Sequence, residues 1–333
     1  MNKLRVFQIV NHKRTASGNT WKSAGTVLFL FLLLPGFLTG IFGNLKTELI
    51  QEELKNQLEE GRFFVVNRTK VGEEKIPLEY YVADMLGRVM DESYEEEALK
   101  AQAVLIRSNL LKSGKTEILM EDTRYGTKVI SQKHLLAVAQ TKGMYLEKDG
   151  EIVYGAYHRV SNGFTRSGND FLGKNDTGEL NSVSCEKDFL SEEFTDTVEV
   201  EFAVFEKEWE ELPSVKALEV SGKKDAVTRQ MAEEILLYGN HTMQFVRDSA
   251  GYVMSFCYLD KWVLGEDIRY AFGLSSSDFR LEQKENKICF ITKGKGHGFG
   301  MSQFGANEMA KEGSSFLDIL SYFFENTKVT RTE

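Results

Sequence analysis

Apolar positions along the chain fall into three kinds of run. The longest is SAGTVLFLFLLLPGFLTGIFG, residues 23–43, with no charged residue. At 1.5 Å per residue it crosses the roughly 30 Å hydrocarbon core of a bilayer, so it predicts one membrane-spanning helix, which Pro35 kinks rather than breaks. Residues 45–60, LKTELIQEELKNQLEE, place Leu45, Leu49, Leu54 and Leu58 at helical spacing between charges, and Gly61 ends this amphipathic stalk. RFFVVNRT (62–69) reads as a strand. PLEYYVADMLGRVM from Pro77, and YEEEALKAQAVLIRSNLLK from about Tyr94, predict two helices. Proline is tolerated in the first turn of the former, and the acids that open the latter suit the helix dipole. HLLAVAQT predicts a short helix, and YLEKDGEIVYGAYH a hairpin around Asp149-Gly150. Residues 161–196 are polar and loop-like. Over 197–260, strand-like TVEVEFAV, LEVSG, TMQFVRD and YVMSFCYL surround a helical QMAEEILLYG. A strand (KICFIT), a glycine-rich loop (GKGHGFG) and two helical segments follow, which makes the fold class α+β.

Charge orients the apolar run. Lys3, Arg5, Lys13, Arg14 and Lys22 precede it with no acid among them, which predicts a cytoplasmic N-terminus and an uncleaved single-pass anchor. Taking these five bases from the 41 Lys and Arg leaves 36 against 50 Asp and Glu, a net −14. A binder of nucleic-acid backbone needs the opposite sign, so no nucleic-acid partner is expected. The expected division is a basic tail over 1–22, an anchor over 23–43, a helical stalk over 44–61 and an extracytoplasmic domain over 62–333. Three cysteines give no disulfide framework; Cys257 and Cys289 sit in apolar strand-like runs and read as buried thiols.

Two segments carry more than patterning. Residues 76–108, IPLEYYV…EEEALKAQAVLIRS, are by themselves an amphipathic helix pair. Residues 294–329, GKGHGFGMSQFGANEMAKEGSSFLDILSYFFENTKV, run from a glycine-rich loop into a helix N-terminus, where free N–H groups can receive an acceptor. This segment fits neither G-x-G-x-x-G nor a P-loop, so a nucleotide site is not expected. In this order and separation, the two segments resemble the stage II sporulation protein D family and the related amidase-enhancer domain, from about Pro77 to Val329. AYHRVSNGFT (156–165) looks like the family's Ser-Asn-Gly turn, and LNSVSCEKD (180–188) like the segment before its long strand region. The resemblance implies a core domain with the helix pair near its start and the glycine-rich loop plus helices at its end. A strand-rich insertion lies between them, and a groove where the signature segments meet. It also implies a bacterial cell-membrane protein of sporulation that binds peptide-stripped peptidoglycan glycan strands. Active members cleave these strands as lytic transglycosylases, beside a partner amidase and other engulfment proteins at the forespore septum.

The resemblance places a general-acid glutamate eight residues before the Glu-Ala-Leu-Lys-Ala-Gln stretch, in a Glu-Met-Pro step. Counting back from Glu97 reaches Val89, with Met90 kept and Asp91 in the proline position. Valine neither gives nor takes a proton, and loss of a general acid removes about 10²–10⁴-fold in rate. The family's next Arg-Thr-Tyr step is Arg107-Ser108-Asn109 here. Glu92 shares the face of Val89 only on a continuous helix; Asp91 and Asp84 are also near in sequence. Each is either a displaced acid or a solvated surface charge. The resemblance offers Gln102, Arg107, Ser161, Asn162, His297, Ser302 and Gln303 as glycan contacts. His297 either lines the groove or braces the loop. Ser302 and Gln303 either donate to sugar or cap the helix, and Ser161, Asn162 and Thr165 shape a turn. Some relatives bind zinc in this region, which makes His158 and Cys185 its candidate ligands, but two ligands at long spacing do not make a site. No cofactor is therefore expected. The leading expectation is a glycan-strand binder with lost or weakened chemistry. The alternatives are a lytic transglycosylase acting through Glu92 or Asp91, and a non-catalytic scaffold for a partner amidase.

Overall fold

The computed structural model describes residues 49–128, 130–168, 180–215, 231–238 and 241–332. The predicted basic tail, the anchor over 23–43 and the strand-like LEVSG lie outside the described residues. Among the described residues no helix is long and apolar enough to cross a membrane. The chain divides into units over Met1–Glu53 and Leu54–Glu333. Of the first, only residues 49–53 are described, and they are helical. The second opens with helical residues 54–59 (α1), whose Leu54 and Leu58 are buried as the stalk pattern requires.

From there the chain forms β1 (Phe64–Thr69), β2 (Gly72–Pro77), α2 (Leu78–Val89), α3 (Glu96–Leu111), β3 (Glu117–Met120), α4 (Gln132–Gln140), β4 (Met144–Lys148), β5 (Glu151–Ile152) and β6 (Tyr157–His158). A 3-10 turn over Glu186–Leu190 leads into the insertion: β7 (Thr195–Glu201), α5 (Phe202–Glu211), β8 (Met231–Tyr238), β9 (His241–Arg247), β10 (Val253–Tyr258), β11 (Lys261–Leu264), α6 (Gly265–Ala271), β12 (Phe279–Lys284) and β13 (Lys287–Lys293). The glycine-rich loop then gives β14 (Met301–Ser302), α7 (Gln303–Lys311), α8 (Phe316–Phe323) and β15 (Lys328–Arg331). Small sheets result, ordered β2-β1-β3, β15-β4-β5, β11-β10-β9-β8 and β12-β13-β7, with β6 and β14 pairing in parallel. The α+β expectation holds.

Helix α3 organises the first core. Ala98, Leu99, Ala101, Ala103, Val104, Leu105 and Ile106 are all buried, and a helix apolar on every side needs neighbours on every side. It packs against α2, α4, β4, α7 and α8. Pro77 stands at the N-cap of α2, one position before the first turn, where its missing N–H is not required. Asp149 and Gly150 take φ of 51° and 88° between β4 and β5, the left-handed pair that a two-residue hairpin turn demands. The insertion has its own core, in which Phe205, Trp209, Phe245, Phe256, Phe279 and Phe290 are buried together between its two sheets, α5 and α6. Cys185, Cys257 and Cys289 are free, buried thiols.

Three expectations are corrected. QMAEEILLYG is not helical: Met231–Tyr238 extends along β9, with Leu236 opposite Met243 and Tyr238 opposite His241. The open edge of β9 overrides the helix propensity of Ala, Glu and Leu. TVEVEFAV is a strand only to Glu201. Phe202, Phe205 and Trp209 then recur at helical spacing, and α5 presses the latter two into the insertion core. Glu92 does not share a helical face with Val89, because α2 stops at Val89 and Met90 is extended (φ −136°, ψ 130°).

One ion pair ties the first core together. Arg107, wholly buried on α3, meets Glu79 on α2 through one guanidinium edge, with Nη2 to Oε2 at 2.6 Å and Nε to Oε1 at 2.9 Å. Its Nη1 donates to the Met144 carbonyl, and Glu79 also accepts from the Gly143 amide. Removing one partner leaves a buried charge alone, so Arg107→Met is expected to lower unfolding free energy by about 3–5 kcal/mol in urea titration. The double variant Glu79→Leu/Arg107→Met is expected to recover most of that loss. Arg68→Ala, which breaks an exposed pair with Glu73, is expected to cost under about 1 kcal/mol.

Candidate functional site

The two signature segments meet through α3, α7 and the loop between β13 and β14. Gln303 on α7 donates to Gln102 on α3 at 3.0 Å, both buried. The Asn307 side-chain oxygen accepts from the Glu95 amide at the N-cap of α3, and Glu97 accepts from the Phe316 amide at the start of α8. The glycine-rich loop lies against the Ser-Asn-Gly turn, with bridges Val160–Lys295 and Arg166–Phe299. Two glycines are required by contact as well as by φ. A Cβ on Gly300 (φ +68°) would stand 2.1 Å from the Ala156 carbonyl oxygen, and one on Gly298 (φ +79°) 2.5 Å from the Tyr252 ring.

At the centre is Asp188, fully buried in the 3-10 turn. Its Oδ2 accepts from the Ser161 amide at 2.6 Å and from the Ser302 hydroxyl at 2.7 Å, and burial raises its pKa above the ordinary carboxylate value. Ser302 is also the N-cap of α7, where its hydroxyl accepts from the Gly305 amide. The predicted residues Gln102, Ser161, Ser302 and Gln303 therefore come together, as buried supports of the site. Asn162 stands beside them, donating to Ala250 O and Asp278 and accepting from the Phe164 amide, the turn-shaping arrangement expected of it. Arg107 does not join them: it is enclosed in the first core by Glu79 and Met144, with no exposed atom to offer a sugar.

His297 braces the loop, its Nδ1 accepting from the Phe299 amide at 3.1 Å. Its ring lies 6.0 Å from that of His158, whose Nδ1 faces the Phe299 carbonyl at 3.0 Å. Burial lowers both histidines, His158 to about 3 and His297 to about 4, so both are neutral at pH 7. Burial pushes the Cys185 thiol up to about 12; its sulfur approaches Val183 O at 3.9 Å. Among the described residues no three His, Cys, Asp or Glu side chains gather as a metal-holding set.

The surface next to these supports carries the end of α2. Val89 is half-buried, and the following Met90 carbonyl meets His134 Nε2 at 2.9 Å. Asp91 turns back on Ser93, accepting from its hydroxyl at 2.5 Å and its amide at 2.9 Å, which holds the Asp91 carboxyl below the usual range. Glu92 is exposed, and its carbonyl accepts from Lys133. Beside them Arg159 stacks over the Tyr94 ring at 5.2 Å and pairs with Glu193 at 2.8 Å, which Lys295 also reaches at 2.5 Å. Burial works against ionised Glu193, but the bonds from Lys295 and Arg159 prevail and keep its pKa low. Phe189, 54% exposed, packs edge-on to Phe194 at 4.8 Å and covers Gly163, and Phe164 is 49% exposed. Sequence reasoning missed Tyr94, Arg159, Asp188, Glu193 and Lys295. Each but Glu193 lies in a segment that carries the resemblance, and their pairing across the chain is what had no sequence signal.

The two histidines set a pH dependence. In the unfolded chain each takes up a proton near pH 6.5, whereas the native site refuses it. Stability is therefore complete above that value and lost as pH falls, by about 2 kcal/mol per histidine at pH 5. Urea titrations at pH 7 and pH 5 are expected to show this loss, and His297→Gln to reduce it by about 2 kcal/mol.

Residues 67–147 match a family described as Stage II sporulation protein. The chain is 28% identical over 287 residues to stage II sporulation protein D of Bacillus subtilis (strain 168), covering 78% of this chain and 76% of that relative. It is 26% identical over 286 residues to stage II sporulation protein D of Bacillus amyloliquefaciens, with the same coverage. To the amidase enhancer of Bacillus subtilis it is 26% identical over 279 residues, 72% of this chain but 39% of that longer protein. The chain is a distant homologue of stage II sporulation protein D and of the amidase enhancer, and its residues 67–147 carry the match to the stage II sporulation protein family.

Proposed function

We propose that this protein binds peptidoglycan glycan strands at the cell envelope during sporulation and does not cleave them. The observation that carries the reading is the end of α2. Where the family resemblance puts the general acid, the helix ends on Val89; Asp84, raised by burial, is enclosed on α2 with Arg88 and the Gly126 amide. A lytic transglycosylase needs one carboxyl that is protonated to release the leaving oxygen and then takes the proton of the sugar's own C6 hydroxyl. Asp91 and Glu193 are held ionised by their partners, which disfavours the first step. Asp188 is raised by burial but has no exposed surface with which to touch a sugar. Glu92, on the turn after α2, has lost the helical relation to Val89 that would have recommended it.

The surface retains what binding requires. Arg159 and Lys295 offer donors to hydroxyl and acetamido oxygens, and Phe189 and Phe164 offer faces on which pyranose rings stack. The anchor predicted over 23–43 holds this surface on the wall side of the membrane, and the amidase enhancer's name makes a wall amidase the natural partner.

Cosedimentation of the full chain with amidase-treated glycan strands, followed by assay for anhydro-sugar, tests the reading. Binding without release is expected, and Asp91→Asn and Glu92→Gln are expected to bind as the wild type does. Phe189→Ala is expected to weaken binding about fivefold, the weight of one aromatic contact of about 1 kcal/mol. Anhydro-sugar release that Glu92→Gln abolishes would contradict the reading.

A further inference from the structure

Three basic side chains line one cavity, and among the described residues no carboxylate is paired with them. The cavity, ≈ 530 Å³, has apolar walls at Leu58, Phe63, Pro77 and Ala139 and opens among Arg62, Lys142 and Arg331. Many other basic side chains meet acids, as in Arg68–Glu73, Lys75–Glu117, Arg88–Asp84 and Lys328–Glu147, whereas Lys112, Lys133 and Lys261 donate to carbonyls away from this cavity. Arg62 instead lies 5.0 Å over the Phe63 ring, which orients its guanidinium without neutralising it. Lys142 Nζ donates to the Gln57 carbonyl at 2.5 Å, which leaves two of its protons to give. Two acids also line the cavity. Glu79 is bound to Arg107 and the Gly143 amide, and Glu60 is exposed. The Gly143 backbone (φ +73°) and Thr332 close one side, packed so that a Cβ on Gly143 would stand 2.9 Å from the Thr332 hydroxyl.

Like charges gathered in a concave, partly apolar site repel one another until an anion arrives, and such a site concentrates the field on that anion. Two guanidinium forks and an ammonium match the oxygens of a phosphate group, the forks by paired hydrogen bonds and the ammonium as a point charge. The apolar walls add a selection, because they suit the carbon chain flanking an esterified phosphate better than a fully hydrated inorganic ion. We propose that Arg62, Lys142 and Arg331 form a binding site for a phosphodiester anion, of the kind found in glycerol-phosphate polymers and in anionic lipid headgroups. The site shares no residue with the proposed glycan surface, so either can fail alone.

Calorimetric titration of the full chain in a nonionic detergent tests this. The probes are poly(glycerol phosphate) and the soluble short-chain lipid dihexanoyl-phosphatidylglycerol, with sodium phosphate for comparison. Binding of at least one phosphodiester probe, tighter than sodium phosphate and weakened by added salt, is expected. The probe that binds more tightly identifies polymer or headgroup as the source. Arg62→Gln, Lys142→Gln and Arg331→Gln are each expected to weaken it about tenfold, the weight of one charge-assisted contact. Arg331→Lys is expected to fall between, because it keeps the charge and loses the fork. Arg280→Gln, an exposed base on β12 outside the cavity, is expected to bind like the wild type. Failure of both phosphodiester probes to bind the wild type would overturn the proposal. So would an equal loss in Arg280→Gln, which would mean a diffuse field and no site.

Discussion

A carboxyl group shut away from water is costly unless its oxygens are met by donors. Asp188 lies in that position, with donors on Oδ2 and none on Oδ1 among the described residues, and the geometry around the candidate site depends on it. Its Oδ2 takes the Ser161 amide, which opens the Ser-Asn-Gly turn, and the Ser302 hydroxyl, which caps α7. One atom thereby joins the 3-10 turn, the Ser-Asn-Gly turn and the end of the glycine-rich loop. The Gln102–Gln303 bond extends the tie to α3, and the Arg107–Glu79 pair continues it to α2 and β4. From Asp188 to the first turn of α2, the chain of support is made of buried polar contacts, which fix position more sharply than apolar packing does.

What that support presents is unequal. The elements to which the proposed function assigns binding, Arg159, Lys295, Glu193 and the exposed phenylalanines, lie on a braced surface. In the proposed function the reacting element is the absent one, because α2 ends on Val89 where the resemblance puts the general acid. The two facts agree energetically. Binding draws on several contacts and survives the loss of one, whereas general acid catalysis depends on a single proton at a single place. A family member can lose the second and keep the first without any change of fold.

Much of this was legible in the sequence, and the limits have physical causes. Helix α2 showed by its apolar periodicity, α3 by its length and helix-favouring Ala, Leu, Glu and Lys, and the β4–β5 turn because Asp149-Gly150 fits a left-handed pair. The strand Met231–Tyr238 did not show, because its helix-favouring residues are overruled by the edge of β9, a partner that no local pattern names. Helix α5 was hidden behind a strand that runs straight into it. Of the site, the motif residues were legible, and so were the structural alternatives for Ser302 as a helix cap, His297 as a loop brace and Asn162 as a turn former; the enclosure of Arg107 and Gln102 was not. Gln303 and Gln102 are chemically fit to hold a sugar and are instead turned to one another, Ser302 is turned to Asp188 and the Gly305 amide, and Arg107 is enclosed in the core. The residues that face outward, Arg159, Glu193 and Lys295, are brought together from positions up to 136 apart in the sequence, and only the fold makes them neighbours.

The central claim is that this chain keeps a working glycan groove from which one carboxyl has been removed. Its most direct test is the rate of anhydro-sugar release from amidase-treated glycan strands by wild type and by Val89→Glu, at equal bound fraction. The account predicts no release by the wild type and measurable release by Val89→Glu. Wild-type release as fast as that of the variant would contradict it, and so would a bound but inert Val89→Glu.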